Sequence, residues 1–493
     1  MELDKDFNPS EIAIQFVSEE GLAGDFTLGK DEYSGWNIFR HVYRWCTSHS
    51  RLQKRVESVA FAVIQNHLGE DFELSKYQFE RVLKLACRDL PGLRRSELHK
   101  IDTFKRVINH IKENIEVAGT SIPVYENSDS TNDDDVVKTM KYLLGDGKFP
   151  FHRISVGTLL AIVLKKNPNL LSEMKEELQS GFMSLWDGLK TEKGKDQLTE
   201  SLIGNMLALI PFTEPEDGKI WKVPQKINGQ WQLVEFSSKA ICLTPDWAAH
   251  DPYHAYSMLP QNNDIASPLL LFMGTPQPTA SGFSVASWTD WVPGYAVGES
   301  LYSWFAEEKI KDCLRSHNEN GHKTRLYGQS LGASLSLLTV ANSPGLVESV
   351  SAYGAPSPTA STRQKYQENC EGLEEKPKVS IYWNDNDPVG FLGSGWHKDW
   401  SLYRVLPAKK TDGFSAHARA VVGQTGVLLW KAQSKPDSRR WKRFCVSLTH
   451  QLLSVPMFFL QSISIGGQVA FHQSKNWTLK KWDQVNEQFC LSE

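Results

Sequence analysis

Two glycines bracket a serine at Gly328-Gln329-Ser330-Leu331-Gly332. A serine hydroxyl is a weak nucleophile until a neighbouring base takes its proton and donors hold the oxyanion that its attack creates. The flanks of the pentapeptide fit that task. Residues 323–327 read as a short strand and residues 333–341 as a helix, which is the strand–turn–helix setting of a nucleophile elbow. Small neighbours allow the strained backbone that such a turn requires. The hydroxyl then projects above a sheet at a helix N-terminus, where the Leu331 N–H has no intrahelical partner and can receive an oxyanion. The plainer alternative is a glycine-bounded tight turn with an inert serine.

An activated serine needs a histidine base and a carboxylate behind it, in the chain order Ser, Asp, His on sheets of this kind. Asp385 and Asp387 follow an apolar run over 379–383. They therefore fall at the C-terminal end of a strand, where open α/β sheets gather their sites. Otherwise both acids simply decorate a turn. The histidines that come later are His397, His417, His450 and His472. His417 lies on a loop after an apolar run over 402–406, in Gly413-Phe414-Ser415-Ala416-His417. His397 precedes that run. His450 sits inside an apolar helical stretch, where a histidine is more often a satisfied core residue.

Several kinds of element must position these groups. Apolar residues recur at helical spacing through Phe39, Val42, Tyr43 and Cys46, through Val59, Phe61, Val63 and Ile64, through Phe79, Val82, Leu83 and Leu85, and over 101–115. Residues 1–118 are therefore expected to form a helical module. Residues 119–136 are expected to form an acidic linker or loop. Within it, Glu126 to Asp135 crowds carboxylates together; a cation site is the sharper alternative there, although the glycine and glutamate of a calcium loop are lacking. Helices are predicted over 156–164 and 170–189, and Asn228-Gly229 predicts a hairpin between 220–227 and 230–236. Beyond Ser267, short apolar runs at 269–272, 324–327, 349–353 and 379–383 alternate with helical stretches. That alternation predicts an α/β domain over 137–430 with a mainly parallel sheet, followed by a helical segment over 431–493.

Residues 265–425 resemble the class 3 (fungal-type) lipases of the α/β-hydrolase superfamily. Five segments occur in the family's order: Leu269 to Thr275, Trp288-Thr289-Asp290-Trp291 with Pro293, the pentapeptide at Ser330, Tyr353-Gly354-Ala355-Pro356, and Asn386-Asp387-Pro388-Val389. Gln329 stands where the family usually has His, Met273 where it has Arg, and Ala333 where Gly is common. The resemblance implies Ser330 as nucleophile, Asp387 as acid and His417 as base, with the Thr275 and Leu331 amides as the oxyanion hole. It also implies a lid within 276–291, an acyl-lipid ester as substrate, and neither cofactor nor metal.

Composition bounds the alternatives. Lys and Arg total 54 against 58 Asp and Glu, a net charge of −4, which argues against a chain built to hold nucleic acid. Seven cysteines with no CxxC predict reduced thiols. The first twenty residues carry six acids and no apolar core, so a Sec-type signal peptide is not expected. The expected location is cytoplasmic or membrane-associated, with signal-less export as an alternative. Residues 445–471 lean apolar, and Arg439, Arg440, Lys442 and Arg443 precede them, a combination that suits contact with a membrane surface. His450, Pro456, Gly466 and Gly467 interrupt that stretch, so a buried or amphipathic helix is favoured over a spanning one. The leading expectation is a lipase-like serine ester hydrolase. The contrasting one is a catalytically inactive hydrolase scaffold used for interaction.

Overall fold

The structure is a computed structural model, described over residues 56–69, 72–90, 92–98, 100–117, 168–189, 196–248, 252–262, 266–275, 284–293, 295–319, 321–384, 386–407, 416–417, 427–432, 448–450, 452–462 and 465. The helices expected around Phe39 and over 156–164, and the acidic stretch from Glu126, lie outside these residues.

Ten strands form one sheet: β1 (Ile115–Val117), β2 (Ile220–Ile227), β3 (Gln230–Cys242), β4 (His254–Pro260), β5 (Leu269–Phe272), β6 (Thr324–Gln329), β7 (Val347–Tyr353), β8 (Lys378–Asn384), β9 (Ser401–Leu406) and β10 (Leu428–Ala432). Their order across the sheet is β1-β10-β9-β8-β7-β6-β5-β4-β3-β2. Strands β5 to β9 run parallel. The pairings outside them are antiparallel. The sheet is thus mixed, not mainly parallel as the apolar runs suggested. The antiparallel pairs β2–β3, β3–β4 and β4–β5 are joined by short connections, whereas a parallel pair needs a crossover of about a dozen residues or more; β9 and β10 are antiparallel across a longer connection. The β2–β3 loop is Asn228-Gly229 alone, with φ values of 49° and 79°. Positive φ at both positions matches the twist of the flanking strands, which is why this dipeptide makes the hairpin.

The parallel strands are sandwiched. On one face the helix Leu331–Asn342, buried from Leu331 to Ala341, packs on β5, β6 and β7. On the other face the helix Asp196–Leu209 lies over β6 and β7. The tyrosines Tyr353, Tyr382 and Tyr403 pair in register across β7, β8 and β9, with ring centroids 4.9 and 5.0 Å apart. Stacked pairs of this kind add roughly 0.5–1.5 kcal/mol beyond their buried area. Tyr353 Oη donates to the Ser201 carbonyl at 2.7 Å, which ties the covering helix to the ladder.

The helices at 56–68, Lys76–Asp89 and Ile101–Asn114 close the opposite edge of the sheet. They share a core with Leu406, Leu428 and Trp430, and the last of them runs directly into β1. Gln78 has two tasks. It completes a capping box with Ser75, and its Nε2 donates to the Leu406 carbonyl at the end of β9, 3.0 Å away. Asp89 accepts from the Trp430 indole at 3.1 Å and from Arg88. Burial would raise the Asp89 carboxyl, but hydrogen bonds with His110, Arg88 and Trp430 outweigh it and hold the pKa below the usual value.

The contact at Gly204 offers a test of the packing. A Cβ there would lie 2.3 Å from Tyr353 Oη, on the inner side of the helix Asp196–Leu209. Gly204→Ala is expected to lower stability by about 1–3 kcal/mol through overpacking, measured by urea denaturation.

Candidate active site

The parallel strands end at a common edge, and four of the residues singled out above gather there. Ser330 directly follows β6, Thr275 follows β5 and Asp387 follows β8. His417 comes after β9 in the chain. Ser330 adopts φ 54° and ψ −118°, a conformation that L-residues rarely take. The bracketing glycines make that turn possible. A Cβ on Gly328 would lie 2.2 Å from the Gly332 carbonyl oxygen, and a Cβ on Gly332 would lie 2.2 Å from the Phe272 carbonyl oxygen of β5. The spacing of the pentapeptide is therefore set by backbone touching backbone.

Ser330 Oγ lies 2.8 Å from His417 Nε2, and His417 Nδ1 lies 2.9 Å from Asp387 Oδ2. The carboxylate holds the ring proton on Nδ1, which leaves Nε2 as acceptor for the serine O–H. Asp387 is fully buried, and its Oδ1 accepts from the Val389 N–H at 2.8 Å, which fixes the carboxylate plane. His417 keeps 22% exposure. Burial lowers its pKa, but the charge of Asp387 and the hydrogen bond to it raise it more, so the imidazole lies above its ordinary 6.5.

The remaining part of the site is a strap tied by a buried carboxyl. Thr275 Oγ1 donates to Asp290 Oδ2 at 2.8 Å, and the Gly298 N–H donates to Asp290 Oδ1 at 3.2 Å. Asp290 is buried, and that burial pushes its carboxyl from 3.8 up to about 7, with the two hydrogen bonds working the other way. Gly274 runs close beside the elbow, since a Cβ on it would lie 3.5 Å from Ser330 Cβ. Leu331 is the first residue of its helix, the position whose N–H has no intrahelical acceptor.

The other candidates have different surroundings. His397 Nδ1 accepts from the Asp399 N–H at 3.2 Å, and its ring packs against Tyr366 and Trp400. His450 stacks on Trp291 at 5.1 Å. Asp385 and His472 lie outside the described residues, as does 276–283 of the expected lid. The structure adds one residue to which the sequence assigned no role. Asp290 showed only as a carboxylate between Trp288 and Trp291, and its contact with Thr275, fifteen residues earlier, appears only once the segment after β5 folds back. Among the described residues, no group of three or more His, Cys, Asp or Glu side chains is placed to hold a metal ion.

No protein-family profile and no curated protein matches this chain. Among solved structures, a triacylglycerol lipase from Penicillium expansum is similar at a TM-score of 0.27 and 11% identity, over 44% of this chain and 80% of that one. A likeness that slight lends no weight to a function.

The electrostatics around His417 can be tested directly. Its pKa, followed by NMR titration, is expected above 6.5 in the native protein. In Asp387→Asn the burial penalty acts without the opposing charge, so the value is expected to fall below that of the native protein. An unchanged value would show that Asp387 does not govern the ring.

Proposed function

We propose that this protein is a serine hydrolase that cleaves carboxylic esters of acyl lipids. The observation that carries the proposal is the unbroken hydrogen-bond chain from Ser330 through His417 to Asp387. In the proposed reaction His417 takes the Ser330 proton as the oxygen attacks the ester carbonyl. The backbone amides of Leu331 and Thr275 receive the oxyanion. His417 then returns the proton to the leaving alcohol. Water, deprotonated by the same histidine, releases the acid from the acyl-enzyme and restores the serine. The raised pKa of His417 favours the imidazolium that forms in each half-reaction, and Asp387 stabilises it. Asp290 is a positioning residue in this scheme: it pins Thr275 from a buried position.

The acyl-lipid assignment is supported by the ordered resemblance of 265–425 to class 3 lipases and by the aromatic side chains Trp288 and Trp291 that flank Asp290. The elbow itself does not choose between ester classes.

A fluorophosphonate probe is expected to label the native protein and to leave Ser330→Ala unlabelled. With p-nitrophenyl esters, the same substitution is expected to lower turnover at least about a thousandfold. Longer acyl chains are expected to be preferred over acetate. Equal labelling of the native protein and the variant would exclude Ser330 as the nucleophile.

A further inference from the structure

The helix at 452–462 is turned inside out. Its inward side carries Ser454 and Gln461, both fully buried. Ser462 on the same side accepts from the Trp288 indole at 2.9 Å, and Phe458 stacks on Trp288 at 5.3 Å. Its outward side carries Leu452, Leu453, Val455, Phe459 and Leu460, with Leu452 67% exposed, Phe459 62% and Leu460 59%. A helix that meets water shows the reverse arrangement, with polar residues outside. Residues 448–462 contain no Asp, Glu, Lys or Arg at all. The apolar surface continues beyond the helix. Trp304 lies 6.0 Å from Trp288, Tyr295 lies 5.6 Å from Trp304, and Trp247 packs on Phe305; Trp247, Tyr295 and Trp304 are all exposed.

We propose that this face docks on an anionic lipid surface. Three observations choose that occupant. Exposed leucine and phenylalanine side chains are what enters the acyl boundary of a bilayer. Exposed Trp and Tyr beside them suit the headgroup level, where an amphipathic ring has one apolar and one wet side. The third is charge: Lys435, Arg439, Arg440, Lys442 and Arg443 come just before Leu448 in the sequence, a basic run complementary to anionic headgroups. Among the described residues no helix is long and apolar enough to cross a membrane, so the docking proposed is interfacial. The placement also bears on the site. The helix seats on Trp288, two residues from the Asp290 that holds Thr275. A docked face would thus set the strap beside the oxyanion position against the surface that presents the ester. The purpose of the docking rests on the ester-hydrolase reading; the binding itself does not.

Co-sedimentation with vesicles tests it. The full chain is expected to pellet with phosphatidylcholine vesicles that contain phosphatidylserine, and much less with phosphatidylcholine alone. L452D/F459D, which changes exposed side chains only, is expected to lower partitioning about tenfold or more while hydrolysis of a short soluble ester is unchanged. R439E/R440E is expected to remove the preference for phosphatidylserine. Ser330→Ala is expected to bind like the native protein, so a failed hydrolase reading would leave binding intact. Failure of the native protein to pellet with either vesicle, or undiminished binding by L452D/F459D, would overturn the proposal. So would a dimer in sedimentation velocity that L452D/F459D dissociates, since a second copy would then be the occupant.

Discussion

The structure depends on a strained turn. Ser330 sits at a positive φ that costs an L-residue on the order of 1–3 kcal/mol, and such strain persists only where its surroundings over-determine it. Here three backbones do so. Gly328 and Gly332 touch across the turn, Gly332 presses on the Phe272 carbonyl of β5, and the Ser330 N–H donates to the Tyr353 carbonyl of β7 at 2.9 Å. Neither glycine has room for a methyl group. The serine is therefore held by the registers of β5, β6 and β7 and by the buried helix that packs on them.

From that fixed point the remaining chemistry is a matter of strand ends and burial. Parallel strands deliver their C-terminal ends to one edge, so residues far apart in the chain meet there without a dedicated scaffold. Asp387 is buried, but it is not isolated, because the Val389 amide and the His417 ring share its oxygens. Asp290 is buried with weaker support, a hydroxyl and one amide, and its carboxyl rises to about 7. Two carboxyl groups near one serine thus differ in the company they keep, one facing a ring that can carry charge and the other a neutral hydroxyl.

Features that are local in the chain were legible in the sequence. The turn at Ser330, the Asn228-Gly229 hairpin and the apolar runs of β5 to β8 each fall within a few residues. Strand direction is not local. The residues of β3 and β4 carry no mark of running antiparallel, and Asn228-Gly229 reveals only one such pair. β1 is too short, at Ile115–Val117, to show any period, and it gains its place only by pairing with β10. The residues at the site follow the same division. Ser330 stands out from its own flanks, whereas the choice of His417 among four histidines depends on which loop folds back over the elbow. Asp290 acquires a partner in Thr275 only once β5 is placed. The helix at 452–462 reads as apolar in any setting, and only its packing on Trp288 shows that its leucines face outward.

A Ser330 that acts as nucleophile carries a covalent acyl group during turnover, and intact-protein mass spectrometry with p-nitrophenyl acetate detects it. A transient species heavier by one acetyl group is expected, with the label on the peptide that contains Ser330 and a burst of p-nitrophenol approaching one equivalent per chain. Turnover with no acylated species and no burst, or an acetyl group on another residue with Ser330 unmodified, would contradict that role.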